Sequence, residues 1–330
     1  MSFDFGILKY RELAEIATGP TPYLLENFIP ERSIGVLVGE WGIGKSPFAI
    51  QLQMSLAAGL PFLGRYRPRE EPIKTLYVDL ENGAQPVFGI ASSIAAFLRM
   101  PEPPENWYAY SPNYCTKPKE LSHLPEDVYV RELLRREHFD FIIIDPLRMF
   151  KPDAESKNSE AAAMIRTLRG LIAETNCSIM FIHHPRKPSG DAEAIRFKLD
   201  DNPTEWMANA CGAASLIQNS DFRIGLEQTE DGLIVCRRFL RNRGWYPSEY
   251  IDRAFDAEGE DPIGYILETG ESTLKPLERQ WLRGLSHQFT TGELKEVSGK
   301  KHNQTINNLL TRWVSLLVVQ KAGRGLWSKI

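Results

Sequence analysis

"GVLVGEWGIGKSPFAIQL", residues 35–52, joins an apolar run to a helical pattern through a glycine-rich turn. Residues 33–39 (SIGVLVG) read as a strand and 46–59 (SPFAIQLQMSLAAG) as a helix. Between them Gly39-Glu40-Trp41-Gly42-Ile43-Gly44-Lys45-Ser46 satisfies G-x-x-x-x-G-K-[ST] in its required strand-to-helix context. The glycines let successive backbone N–H groups face one anion, and the helix N-terminus adds its dipole. Lys45 is spaced to reach the β- and γ-phosphates of a nucleotide, and the Ser46 hydroxyl to ligate Mg²⁺. Pro47 falls in the first helical turn, where N–H groups have no intrahelical acceptor, so its missing donor costs little. The expected ligands are ATP and Mg²⁺.

Outward from this loop, apolar runs of strand length alternate with helical patterns. Strands are expected at 73–81, 139–146 and 177–184, and helices at 84–100, 126–137 and 159–176. "FIIID" and "SIMFI" are too continuously apolar to have one wet face, so the sheet is expected to be parallel and covered on both sides. Residues 185–210 are polar and read as a long loop, and 211–240 as helix, strand, turn and strand. Residues 1–30 read as a lead-in, 31–250 as the α/β core, 251–275 as sheet edge and linker, and 276–330 as a second unit.

Three strand ends carry candidate chemistry. Glu81, at the end of "YVDLE", is placed to orient and activate a water opposite the γ-phosphate. Asp145, ending "FIIID", suits the outer shell of Mg²⁺. His183 and His184 end "SIMFIHH", where a polar side chain can report the γ-phosphate to the following loop; two strand-end histidines held by structural hydrogen bonds fit the same pattern.

The ordered set of Walker A loop, "YVDLEN", "IIIDP", "FIHHPRK" and "ACGAASLIQNSDFRIGLE" resembles the RecA/DnaB ATPase core, and most closely its RepA-like hexameric replicative helicase branch. The resemblance covers roughly residues 20–250 and implies a RecA-like sheet flanked by helices. It implies that Glu81 is the catalytic base, Asp145 the Walker B acid and His184 the sensor. It also implies that Arg241-Asn242-Arg243 reaches the neighbouring subunit's nucleotide in a homo-oligomeric, hexameric ring. Arginine in both basic positions departs mildly from the family pattern. Single-stranded DNA would meet Arg148 and Lys151 after one strand and Arg186 and Lys187 after the next. Asp153, Glu155 and Asp191 dilute those loops, and a solvated loop would read the same way.

Composition agrees with a packed protein: 42 % of residues are hydrophobic and 25 % charged. The net charge of −4 is unevenly spread. Residues 276–330 hold nine Lys/Arg against three acids, which leaves the preceding chain strongly acidic and suggests a polyanion partner for the tail. Cys115, Cys177, Cys211 and Cys236 form no CxxC pair, which speaks against a zinc site or disulfide framework. No apolar run reaches 18 residues and the N-terminus has no signal-like pattern, so a cytoplasmic, non-membrane protein is expected.

The tail reads as three helices and a hairpin. Ile306, Leu309, Leu310, Trp313 and Leu316 recur at helical spacing, while the start of that helix is polar. This resembles a winged helix-turn-helix. Lys300, Lys301, His302 and Asn303 would enter a duplex groove, and Arg324 in the wing would meet phosphate. A winged unit used for protein contacts or subunit packing also fits the pattern.

Overall fold

The structure is a computed structural model that describes residues 9–17, 21–111, 134–185, 197–210, 214–230, 232–256, 262–270, 274 and 276–330. A helix, α1 (Tyr10–Ala17), and a small hairpin of β1 (Tyr23–Leu25) and β2 (Ile29–Pro30) precede the central sheet. Six strands of that sheet run parallel: β3 (Ile34–Gly39), β4 (Thr75–Asp79), β5 (Trp107–Tyr110), β6 (Phe141–Asp145), β7 (Ser178–His183) and β8 (Phe222–Gln228). Four more continue it antiparallel: β9 (Ile234–Leu240), β10 (Gly244–Trp245), β11 (Glu249–Phe255) and β12 (Pro262–Glu268). The order is β12-β11-β9-β8-β3-β7-β6-β4-β5, with β10 paired to β9.

The alternation along β3 explains the layering. Ile34, Val36 and Val38 enter one core and Leu37 the other. On the first face pack α4 (Leu147–Phe150), α5 (Asn158–Thr175), α6 (Pro203–Ala210) and α7 (Ala214–Asn219). On the second pack α2 (Lys45–Ala57) and α3 (Ala84–Phe97). Both faces being covered, β3, β4, β6 and β7 are buried along their whole length. Gly35 is required here for packing: a Cβ on it would lie 2.1 Å from the Phe222 ring of the adjacent strand.

Four expectations need correction. Residues 251–275 were expected as sheet edge and linker; 251–255 and 262–268 are ordered strands, with β11 and β12 pairing as the outer strands of the sheet. Their Gly, Pro and acidic content hides a strand pair that buries Tyr250, Ile251 and Tyr265. The polar stretch 185–210 ends in helix α6, with Pro203 at its first position, where a missing N–H is tolerated. The segment after Asp145 is not an open loop: α4 and a 3₁₀ turn, Pro152–Glu155, tuck Leu147, Phe150 and Ala154 into the core. Strands β4 and β7 stop short of the residues expected to end them, at Asp79 and His183. Of the helix expected over 126–137, residues 134–137 are helical and the rest lies outside the described residues.

The last 55 residues form α8 (Pro276–Gly284), β13 (Gln288–Thr290), α9 (Thr291–Ser298), α10 (Asn303–Ser315), β14 (Val319–Gly323) and β15 (Leu326–Lys329). The three strands make an antiparallel sheet in the order β13-β15-β14, one strand more than the expected hairpin. Thr290 caps α9 in a reciprocal capping box with Glu293. Ile306, Leu310, Trp313 and Leu316 are buried, as the helical spacing requires. Arg312 joins this unit to the sheet, pairing with Glu278 and donating to the Tyr250 hydroxyl at 2.7 Å.

Candidate functional site

Strand β3 delivers the glycine-rich loop to its carboxyl end, where ligands of open α/β sheets bind. Gly42 (φ 80°) and Gly44 (φ 95°) adopt left-handed backbone conformations that favour glycine. Gly44 then caps α2, whose first helical bond runs from Phe48 N–H to the Gly44 carbonyl. Pro47 sits at the third helical position, inside the set of N–H groups that have no intrahelical partner. Its presence is therefore compatible with a working loop. Ile43 is buried, whereas Trp41 stands out at the tip, 87 % exposed.

Lys45 is buried and its ammonium curls back onto the loop, donating to the carbonyls of Gly39 and Glu40 at 2.8 Å each. Burial pulls its pKa down to about 8, against the opposing fields of Asp145 and Glu81. The unfolded chain holds this proton more tightly, so this group adds stability to the ligand-free fold as pH rises from about 8 toward the ordinary lysine range. Phosphate binding needs the charged form. ATP affinity is therefore expected to be level below about pH 8 and to fall up to about tenfold per pH unit above it. Binding titrations at pH 7, 8 and 9 check this; Lys45→Arg, which does not titrate in that window, should flatten the profile.

Ser46 Oγ donates to Asp145 Oδ2 at 2.6 Å, and the buried Tyr77 hydroxyl donates to the same oxygen. Burial raises the Asp145 pKa, with the Ser46 and Tyr77 hydrogen bonds opposing and Asp79 adding to the rise. Asp79, level with Asp145 in the next strand, accepts from the backbone N–H groups of Asn82 and Gly83 and so shapes the turn that carries Glu81. The donor set fits Mg²⁺: a hydroxyl beside a carboxylate, with no cluster of three carboxylates, histidines or cysteines among the described residues. Hard-oxygen sites of this ion use few protein ligands and rely on phosphate and water. Ser46 would hold the ion, Asp145 would orient Ser46 and the bound water, and the ion would offset charge on the phosphates.

Glu81 lies two residues past β4 and is exposed, within electrostatic reach of Lys45. His183 ends β7, buried, with Nδ1 3.1 Å from Glu155 Oε1; a carboxylate acceptor calls for Nδ1–H there. His184 follows, half-buried. Burial first, then Lys45 and His183, bring its pKa down to about 4, with Arg148 also contributing. It is neutral at pH 7. Nε2 of His183 and Nδ1 of His184 lack hydrogen-bond partners among the described residues.

Among the described residues, the remaining expected ones other than Arg148, which lies within electrostatic reach of His184, do not join this cluster within one chain. Arg241 and Arg243 lie beyond the carboxyl end of β9, which runs antiparallel to β8 and so ends away from the loop. Arg241 donates to the Gln218 carbonyl and pairs with Asp221 at 3.8 Å, and Arg243 donates to Asn27 Oδ1 at 3.2 Å. Arg148 is exposed and Lys151 half-buried; Arg186 and Lys187 lie outside the described residues. Lys300, Lys301, His302 and Asn303 are exposed where α10 begins, and Arg324 is exposed in the β14–β15 turn. Two residues that the sequence reading missed touch the loop. Arg253 donates to the Ile43 carbonyl at 3.0 Å, and Tyr265 to the Gly44 carbonyl at 2.8 Å. Recognising β11 and β12 as strands was the only route to them.

Among the described residues no helix is long and apolar enough to cross a membrane, and Cys177 and Cys236 are buried free thiols. Two solved structures are similar in fold. One is the ATPase domain of another protein (TM-score 0.52, 12 % identity), with 80 % of this chain and 98 % of that one covered. The other is a KaiC-like protein from the hyperthermophilic archaeon Pyrococcus horikoshii OT3 (TM-score 0.44, 14 % identity), with 74 % and 93 % covered. The AAA domain family matches residues 10–190, more than half of the sequence and the stretch that holds Lys45, Ser46, Glu81, Asp145 and His184. The chain belongs to the AAA domain family, as a P-loop ATPase.

Proposed function

We propose that this chain is a DNA-dependent ATPase motor of the RepA-like helicase type, working as a homo-oligomeric, hexameric ring. The observation that carries the reading is the position of His184. It lies within electrostatic reach of Lys45 in the phosphate loop and of Arg148 on the segment expected to meet DNA. A neutral imidazole carries one N–H, which could donate to a γ-phosphate and shift when that group leaves. Glu81 would take a proton from the attacking water, while Lys45 and the Mg²⁺ held at Ser46 balance the phosphate charge. Arg241 and Arg243, directed away from their own loop, would complete a neighbour's site and make hydrolysis depend on assembly.

The C-terminal unit is read as a winged helix-turn-helix. Its order of helix, strand, two helices and two strands supports this, as does the exposed basic start of α10. Lys300, Lys301, His302, Asn303 and Arg324 would supply duplex contacts, and Arg148, Lys151, Arg186 and Lys187 single-strand contacts. Strand displacement on forked DNA with ATP and Mg²⁺ tests the motor: unwinding is expected on one tail polarity. DNA-stimulated hydrolysis without displacement on either polarity would overturn it in favour of an ATP-switched DNA-binding assembly factor, regulator or recombinase-like filament.

A further inference from the structure

The part of the chain that looked like linker reaches back into the phosphate loop. Tyr265 on β12 is held at four points. Its backbone N–H donates to Gln51 Oε1 at 2.7 Å, and its carbonyl accepts from Gln51 Nε2 at 2.9 Å. Its ring packs edge-on against Phe48, with centroids 5.8 Å apart. Its hydroxyl donates to the Gly44 carbonyl. Gln51 and Phe48 both belong to α2, so the helix that begins at Lys45 is fastened to this one residue. Tyr265 also sits hard against the loop: a Cβ on Gly44 would lie 2.0 Å from its hydroxyl oxygen. Arg253, opposite Tyr265 in the β11–β12 ladder, donates to the Ile43 carbonyl.

Each of these carbonyls belongs to a planar trans peptide whose N–H points the other way. Holding the Ile43 carbonyl directs the Gly44 N–H. Holding the Gly44 carbonyl directs the Lys45 N–H. Both N–H groups belong to the set that must converge on a phosphate. We propose that Arg253 and Tyr265 are positioning residues of the phosphate loop, which fix the Ile43–Gly44 and Gly44–Lys45 peptides for the nucleotide before it arrives. This rests on the reading of the loop as a nucleotide site. Both residues lie outside the stretch that the AAA domain family matches. The brace needs β11 and β12 in place, so nucleotide binding depends on sheet strands at least 200 residues further along the chain than the loop itself.

The test uses the full chain with a fluorescent ATP analogue and Mg²⁺, measuring Kd, the KM and kcat of hydrolysis, and Tm. Tyr265→Phe keeps the ring and Arg253→Gln keeps most of the stem. Losing one such hydrogen bond is expected to raise Kd and KM about fivefold to tenfold, with kcat and Tm nearly unchanged. Arg253→Lys, which retains a cationic donor, should recover part of the Arg253→Gln loss. Wild-type Kd in both Tyr265→Phe and Arg253→Gln overturns the proposal. So does a weakened Kd that appears only with a matching fall in Tm and is not recovered by Arg253→Lys. Failure of the wild-type chain to bind the analogue would instead remove the nucleotide reading, and the brace with it.

Discussion

Glu81→Gln is expected to lower ATP turnover by about 10²–10⁴-fold while ATP binding survives, the range for removing the general base proposed above. The turn after β4 carries this carboxylate, and its shape is set by Asp79 accepting the Asn82 and Gly83 N–H groups. The substituted amide keeps the size and one acceptor oxygen but cannot take a proton from water. Glu81 also helps keep Lys45 charged. Its loss should therefore move the alkaline fall in ATP affinity to lower pH, a second signature that a remote structural effect would not produce. Single-turnover hydrolysis beside equilibrium binding separates the two effects. Turnover within about twofold of wild type would show that another group activates the water and would leave a binder without Glu81-dependent chemistry.

Gly35→Ala destabilises the fold by about 3 kcal/mol or more, the upper end for overpacking a close-packed core. The added methyl would fall 2.1–2.4 Å from three carbons of the Phe222 ring. That ring is fully buried between the central strands and α2 and has nowhere to turn. The effect is expected in the denaturation midpoint. Phe222→Leu creates space and costs stability alone, yet it should restore part of the loss when combined with Gly35→Ala, because the two residues are direct neighbours. Simple additivity of the two changes would argue against the clash as the cause.

Legibility followed the range of the physics. The loop, its strand and its helix could be read because each rests on local rules: glycines where φ is positive, an apolar run that fits a buried strand, and a proline placed where its missing donor is harmless. Asp145 was readable because a strand buried on both faces rarely ends in a carboxylate without use. The segment 251–275 misled because its composition is that of a loop, while its burial comes from partners far away in sequence: β11 pairs with β9, and Tyr265 packs on α2. The stretch after Asp145 misled for the same reason, its Leu147, Phe150 and Ala154 being claimed by the core.

The sequence alone therefore determined that this protein has a covered parallel sheet with a phosphate loop at the end of one of its strands. Period-two and period-3.6 burial and glycine conformations are properties of neighbouring residues. Only the tertiary structure decided that Ser46 bonds Asp145, that His184 is half-buried within electrostatic reach of Lys45 and Arg148, and that Arg253 and Tyr265 hold the loop. Those facts depend on which strands lie side by side and in what register. Register is set by the summed packing of both faces of the sheet, which no local window of sequence contains.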